Sequence, residues 1–240
     1  MNYIETAKST TYLAFEQNKV KFGFTLAEVL ITLGIIGVVA AMTIPMLIEN
    51  YQKKSTVVRL QKAISVLNQA YKLSFDDVGE PENAFELGSE AYFKQYWAPY
   101  IKALTYCKTP KECGYSSGQP FKFVNGQKDG TALIANGYRT TFYTADNFLY
   151  IIFIGGNNAG TWVASQNVIV DINGGDGPNR WGRDVFWLLR LPDGEGVQPN
   201  GYDKNASSVQ HNCLENAQAA YCAEKIRRSG WQIEKDYPWK

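Results

Sequence analysis

From Phe24 to Ile44 the chain runs for 21 residues with one charged side chain, Glu28. At ~1.5 Å per residue a helix of that length reaches roughly 30 Å, the hydrocarbon thickness of a bilayer. Leu, Ile, Val and Ala dominate, and Gly34 and Gly37 leave flat spots where a second helix can approach closely. The segment reads as a membrane-spanning helix. A secretory signal has a shorter apolar core, ~7–15 residues, although Val39-Ala40-Ala41 would serve as a signal-peptidase site.

Glu28 argues against an ordinary signal. A carboxylate within the span costs roughly 2–3 kcal/mol on insertion scales, so an acid there usually has a role. A cation would remove the cost, and a cut after Gly23 would create one, the amino group of Phe24. Within one helix that terminus lies about a turn from Glu28. Between staggered neighbouring helices the two groups would meet directly, making the acid a register device for assembly.

These residues resemble, in spacing and type, the N-terminal signature of the type IV pilin and type II secretion pseudopilin superfamily. In that family a prepilin peptidase cuts after a glycine and methylates the new N-terminal residue, commonly phenylalanine. The fifth mature residue is glutamate, and a proline often stands at mature position 22. Gly23, Phe24, Glu28 and Pro45 fall on these positions, Pro45 being residue 22 counted from Phe24. The resemblance implies cleavage between Gly23 and Phe24, N-methylation of Phe24, and assembly through Glu28 and Pro45. The implied partners are other pilin or pseudopilin subunits, the prepilin peptidase, an inner-membrane platform protein and an assembly ATPase. The leader 1–23 carries Lys8, Lys19 and Lys21 against Glu5 and Glu16, and a start at Val20 would shorten it to four residues.

Cysteine spacing bears on the compartment. Cys107/Cys113 and Cys213/Cys222 each close a short loop, which suits two local disulfides outside the cytoplasm. A zinc site is disfavoured, because neither pair has the CxxC spacing and His211 is the only histidine. The expected placement is a single pass through the bacterial inner (cytoplasmic) membrane with the head outside the cytoplasm. Once residues 1–23 are removed, basic and acidic residues balance at 21 each, so bulk charge gives no reason to expect a nucleic-acid partner. The sequence reads as lacking a Walker loop, HExxH, GxSxG or GxGxxG motif, and no enzyme is expected.

Beyond Pro45 the helix continues. Val57, Leu60, Ile64, Leu67 and Tyr71 recur at helical spacing, while Lys53, Lys54, Arg59, Lys62 and Lys72 lie largely off that stripe. One helix from Phe24 to about Phe75 is expected, kinked or locally melted at Pro45. Tyr92, Phe93, Tyr96, Trp97, Tyr100, Ile101 and Leu104 form a second helical stripe, with Ser89 as N-cap and Pro99 as interruption. From about Thr131 the period turns to two. Strands are expected at 132–135, 138–144, 149–154, within 162–171 and at 185–191, with a turn at Asn136-Gly137. Links at 145–147 and 155–158 complete an antiparallel meander of four or five strands. A further short helix is expected within 213–228, with Gly230 as its stop and Trp231, Tyr237 and Trp239 folding back on the sheet. The fold class is α+β and pilin-like, a long N-terminal helix on an antiparallel β-sheet head. Its segments are the leader 1–23, the span 24–44, the amphipathic continuation 45–76 and the head 77–240.

The loop 171–184 is the most distinctive part of the head. Asp171, Asn173, Asp176, Asn179 and Asp184 offer hard oxygens suited to calcium, but the EF-hand positions for glycine and glutamate hold Asp176 and Gly182. The alternative for this loop is a structural turn built on Asx motifs. Calcium is the one cofactor the sequence suggests. For the chain as a whole, the expected function is a structural subunit of a type IV pilus or type II secretion pseudopilus. The competing reading is an extracytoplasmic binding protein or enzyme that uses the span only as anchor or signal.

Overall fold

The computed structural model describes residues 23–81, 87–102, 104–134, 139–154, 166–214 and 217–239. The chain divides into two compact units, Met1–Leu47 and Ile48–Lys240. Helix α1, Leu26–Val78, is a single element of 53 residues that belongs to both. The helix continues through Pro45, so the local melting expected there does not occur. The loss of one donor is tolerated inside a long run of good helix formers.

In the second unit α1 buries Val57, Leu60, Leu67 and Tyr71, as the stripe predicts, with Ile64 half-buried beside them. Thr56, Ala63, Ala70 and Ser74 widen the buried face. Small residues at those positions let the sheet approach the helix. Arg59, Lys62 and Lys72 stay exposed, and Lys62 reaches across to Asp146 at 2.8 Å.

Helix α2, Ser89–Tyr96, buries Tyr92, Phe93 and Tyr96. Its N-cap is Gly88 rather than Ser89, and Ser89 is itself buried in the first turn. Pro99 does interrupt the run: after Trp97 a 3-10 turn, Ala98–Tyr100, replaces the α-helix. Leu104 is not on that helix but opens the first strand.

The head carries a six-stranded sheet with strands in sequence order and every neighbour antiparallel. The strands are β1 (Leu104–Tyr106), β2 (Arg139–Thr144), β3 (Leu149–Phe153), β4 (Gln166–Asp171), β5 (Val185–Leu191) and β6 (Gly196–Pro199). Strands β2 to β5 follow the expected positions, and the 145–147 link is the β2–β3 turn. Residues 132–134 are not a strand; Leu133 instead accepts from the Thr141 hydroxyl at 2.5 Å. The expected turn at Asn136-Gly137 and the 155–158 link lie outside the described residues.

Directly paired residues share a face of a sheet, so the register sorts the core. Phe142, Tyr150, Val170 and Phe186 form one cross-strand row. Phe93 of α2 packs on Phe142 with ring centroids 4.7 Å apart, and Phe142 stacks on Tyr150 at 5.2 Å. Arg190, two residues along from Leu188 on the same face, lies over the Tyr71 ring of α1 at 4.6 Å. This is the helix-covered face. The opposite face holds Thr141, Ile151, Ile169 and Trp187. It is covered by the irregular stretch 107–134 and the loop after β4, through Tyr115, Phe121, Leu133 and Trp181, all buried. Burial on both faces explains why β3 is a continuous apolar run, Leu-Tyr-Ile-Ile-Phe.

Two polar locks hold α1 to the far edge. Asn68 donates to Val197 O at 2.9 Å and accepts from Val197 N at 2.8 Å, pairing with the outer side of β6 as a neighbouring strand would. Gly196 has φ +81, and a Cβ there would collide with Asn68 Oδ1, so glycine is required twice over. Arg190, almost fully buried, pairs with Glu80 at 2.8 Å, and Glu80 also accepts from the Tyr71 hydroxyl at 2.8 Å. The last segments are helices α3 (Ala206–Asn212) and α4 (Cys222–Arg228). On α4, buried Glu224 takes Arg227 and Arg228 at 2.7 and 2.5 Å. The terminal stretch folds back as expected. Lys225 holds Asp236 at 2.8 Å, and the Tyr237 hydroxyl donates to Gly182 O.

Candidate functional site

The N-terminal unit contains the chain's most unusual surface. The apolar window of α1 has a mean hydropathy of 2.3 and none of it is buried within the protein. Phe24 is 88% exposed, and Leu30, Leu33 and Ile36 are all about 60% exposed. In water such a surface would be a severe liability; in lipid it is the expected one. The hydroxyls on this segment are returned to the backbone. Thr32 donates to Val29 O at 3.0 Å and Thr43 to Val39 O at 2.9 Å. A lipid-facing helix requires such internal pairing of its polar groups.

The start of α1 shows how Glu28 is held. Its Oε2 accepts from the Thr25 backbone N–H at 2.8 Å and from the Thr25 hydroxyl at 2.9 Å. Thr25 Oγ1 accepts from Glu28 N at 3.2 Å in return. Thr25-Leu-Ala-Glu28 is thus a capping box, an N-cap threonine with a glutamate three residues on. The T-x-x-E spacing of Thr25 and Glu28 is the sequence signature of this cap, so Glu28 has a local role beside the expected assembly role. Gly23 and Phe24 lie just outside this cap. A Cβ built on Gly23, Gly34 or Gly37 meets nothing within 4 Å among the described residues. The described residues therefore make no steric demand for glycine at these positions.

In the head, Cys107–Cys113 and Cys213–Cys222 are bonded, with sulfurs 2.10 and 1.98 Å apart, and no described cysteine is free. The first pair closes the start of the layer over the sheet. The second ties α3 to α4, where Cys222 also packs against Gly182.

The loop 171–184 gathers its predicted oxygen ligands but employs most of them internally. Asp171 is fully buried; it accepts from the Tyr115 hydroxyl at 2.9 Å and from Asn173 N at 3.2 Å. Asp184, also buried, accepts from Asn179 N at 2.8 Å and Arg180 N at 2.6 Å. With its amide nitrogen turned inward, Asn179 donates to Asp171 Oδ2 at 3.1 Å and Gly174 O at 3.2 Å. Asn173 donates to Gly177 O at 2.6 Å, while Asp176 is exposed. Burial is the main cause that pushes both carboxyls above their ordinary range, and their mutual repulsion adds to it at Asp171. Among the described residues no group of three or more His, Cys, Asp or Glu side chains stands ready to hold a metal.

One correction concerns catalytic motifs. Gly114-Tyr-Ser-Ser-Gly118 does match the letters G-x-S-x-G. A nucleophile elbow needs a strand leading into a helix, whereas these residues follow the first disulfide as turns and bends, with Ser116 exposed. Its second residue, Tyr115, is buried and donates to Asp171, which accounts for the segment as packing. His211 sits exposed in the last turn of α3.

Comparison with known proteins agrees with this geometry. Residues 18–44 match the prokaryotic N-terminal methylation motif, and residues 46–153 match a family of unknown function, DUF6613. No curated protein and no solved structure matches the chain. The first match covers Gly23, Phe24 and Glu28; the second runs from the apolar end of α1 through β3. The N-terminal segment of this chain is a prepilin-type methylation motif, the signature of the type IV pilin and pseudopilin superfamily.

Proposed function

We propose that the chain is a structural subunit of an extracytoplasmic filament, a type IV pilus or a type II secretion pseudopilus. A prepilin peptidase cuts between Gly23 and Phe24 and methylates the new amino group. Glu28 of one subunit then meets the Phe24 terminus of its neighbour as the apolar helices bundle. The head stays outside the cytoplasm, where the two disulfides persist. A platform protein in the inner membrane and an assembly ATPase drive extrusion. The observation that carries the reading is one acid in an otherwise lipid-exposed apolar helix, four residues beyond a Gly-Phe junction that matches the methylation motif.

The test is the intact mass of the protein recovered from membranes of a cell with a prepilin peptidase. The expected mature chain begins with N-methyl-Phe24, and Gly23→Ala is expected to leave an unshifted precursor. An intact Met1, or a start after Ala41, would replace the filament reading with that of an anchored or secreted protein.

A further inference from the structure

The apolar run of α1 ends at Ile48, and three residues later a collar of cations and aromatic rings begins. On one flank of α1, Tyr51, Thr56 and Arg59 line a cleft closed by Arg183 and Trp239. On the other flank, Lys53, Lys54 and Val58 line a groove closed by Trp231 and Ile233. The two sets alternate along the helix, so both sides of α1 are served. Tyr51 and Val58 are 72% and 63% exposed, and both tryptophans are half-buried, each with surface left to present.

The cations are aimed and largely uncompensated. The Arg183 guanidinium stacks over the Trp239 ring at 5.0 Å and donates to Gln52 Oε1 at 3.3 Å. Arg59 donates to Ile172 O at 3.3 Å, a carbonyl that leaves its charge unneutralised. Of the acids nearby, Glu49 is taken by Lys53 at 2.5 Å, and Asp184 spends its oxygens on the backbone N–H groups of Asn179 and Arg180. Among the described residues Lys54, Arg59 and Arg183 have no acidic partner. The mature chain is balanced in charge overall, so this concentration is local and does not reflect a basic protein.

Tryptophan and tyrosine rings beside snorkelling Lys and Arg match one partner chemistry well. The headgroup layer of a bilayer takes amphipathic rings at its edge and offers phosphates to the cations. We propose that this collar is a membrane-surface docking site that binds the phosphates of anionic phospholipids in the bilayer that holds α1. The site keeps the base of the head on the membrane surface, and a subunit entering a filament must release those headgroups. The inference rests on the anchoring of α1 in lipid.

The experiment uses the full chain in nanodiscs of zwitterionic lipid, alone or with roughly 30% phosphatidylglycerol, each carrying a headgroup nitroxide that quenches tryptophan. Quenching is expected to be several-fold stronger in the anionic discs, and the excess is expected to vanish in Trp231→Phe/Trp239→Phe. Arg59→Gln and Arg183→Gln are each expected to weaken the anionic excess about five-fold at low salt. At about 1 M salt, which needs no substitution, the excess is expected to disappear in the wild type. Equal quenching in the two lipids, or quenching indifferent to salt, would overturn the docking site while leaving the anchor intact. Failure of the chain to co-purify with discs would overturn the anchor itself. Burial of Trp231 and Trp239 that grows with protein density in the disc, whatever the lipid, would assign the collar to a second subunit and refute lipid docking.

Discussion

Glu28→Gln separates two roles that Glu28→Ala confounds. In the structure Glu28 closes a reciprocal capping box with Thr25 through contacts of 2.8, 2.9 and 3.2 Å. Glutamine fills that position of a capping box as well as glutamate does, whereas alanine loses it at about 1 kcal/mol. The proposed contact with the Phe24 amino group of a neighbour requires the charge. Two unit charges 4 Å apart attract by about 4 kcal/mol at an effective dielectric of ~20, before desolvation. That corresponds to nearly a thousandfold in subunit affinity. Glu28→Gln is therefore expected to retain the helix start, membrane insertion and processing, yet to lose filaments as completely as Glu28→Ala. The assay is the sheared filament fraction quantified against the membrane fraction, with N-terminal mass as the processing control. Wild-type filament yield in Glu28→Gln, with loss only in Glu28→Ala, would show that Glu28 serves the cap and that the charge pairing is wrong.

Three further outcomes are expected. Asn68→Ala strips both polar groups of Val197 of their partner and should cost about 1–3 kcal/mol, a fall in Tm of ~2–4 °C per kcal/mol for a head of this size. The Val197 amide should then exchange faster with solvent, and unchanged exchange would mean that the lock at β6 is not formed. Asp171→Asn tests the buried acid pair. Burial, reinforced by Asp184, raises the folded pKa of Asp171 above its ordinary 3.8. Its contribution to stability is then complete below that value and is lost as pH rises through the folded pKa. Melting temperature against pH should accordingly fall less steeply above pH ~4 in Asp171→Asn than in the wild type, and a steeper fall would refute the assignment. Millimolar calcium is expected to leave the Tm unchanged, because the oxygens of Asp171 and Asp184 already have protein donors. A calcium-dependent rise would show that the loop exchanges those donors for an ion.

The amino-acid sequence determined what depends on local order. An uninterrupted apolar stretch of this length and composition can span a bilayer whatever the head does, and Gly23, Phe24 and Glu28 match the methylation motif through spacing alone. The stripe from Val57 to Tyr71 was legible because one face of the helix is covered. Strands β2 to β5 were legible because short β-branched and aromatic runs are bounded by turn residues, although β3, buried on both faces, is a continuous apolar run. Legibility failed where partners come from far along the chain. Strand β1 has three residues and no burial pattern of its own, and exists because Thr105 and Tyr106 find Tyr143 and Phe142. Strand β6 contains a glycine and a proline, poor strand formers, and is held by Arg190 and Val197 in register and by Asn68 across its outer edge. The irregular layer over the second sheet face has no periodicity, so nothing local announced that Tyr115, Phe121 and Leu133 are core. The same distance hid the state of the 171–184 loop, since its oxygens count as free ligands or as satisfied acceptors depending on Tyr115, 56 residues before Asp171. Only tertiary structure brings those groups within hydrogen-bonding range, because burial and pairing are properties of the neighbours a residue acquires and not of the residue itself.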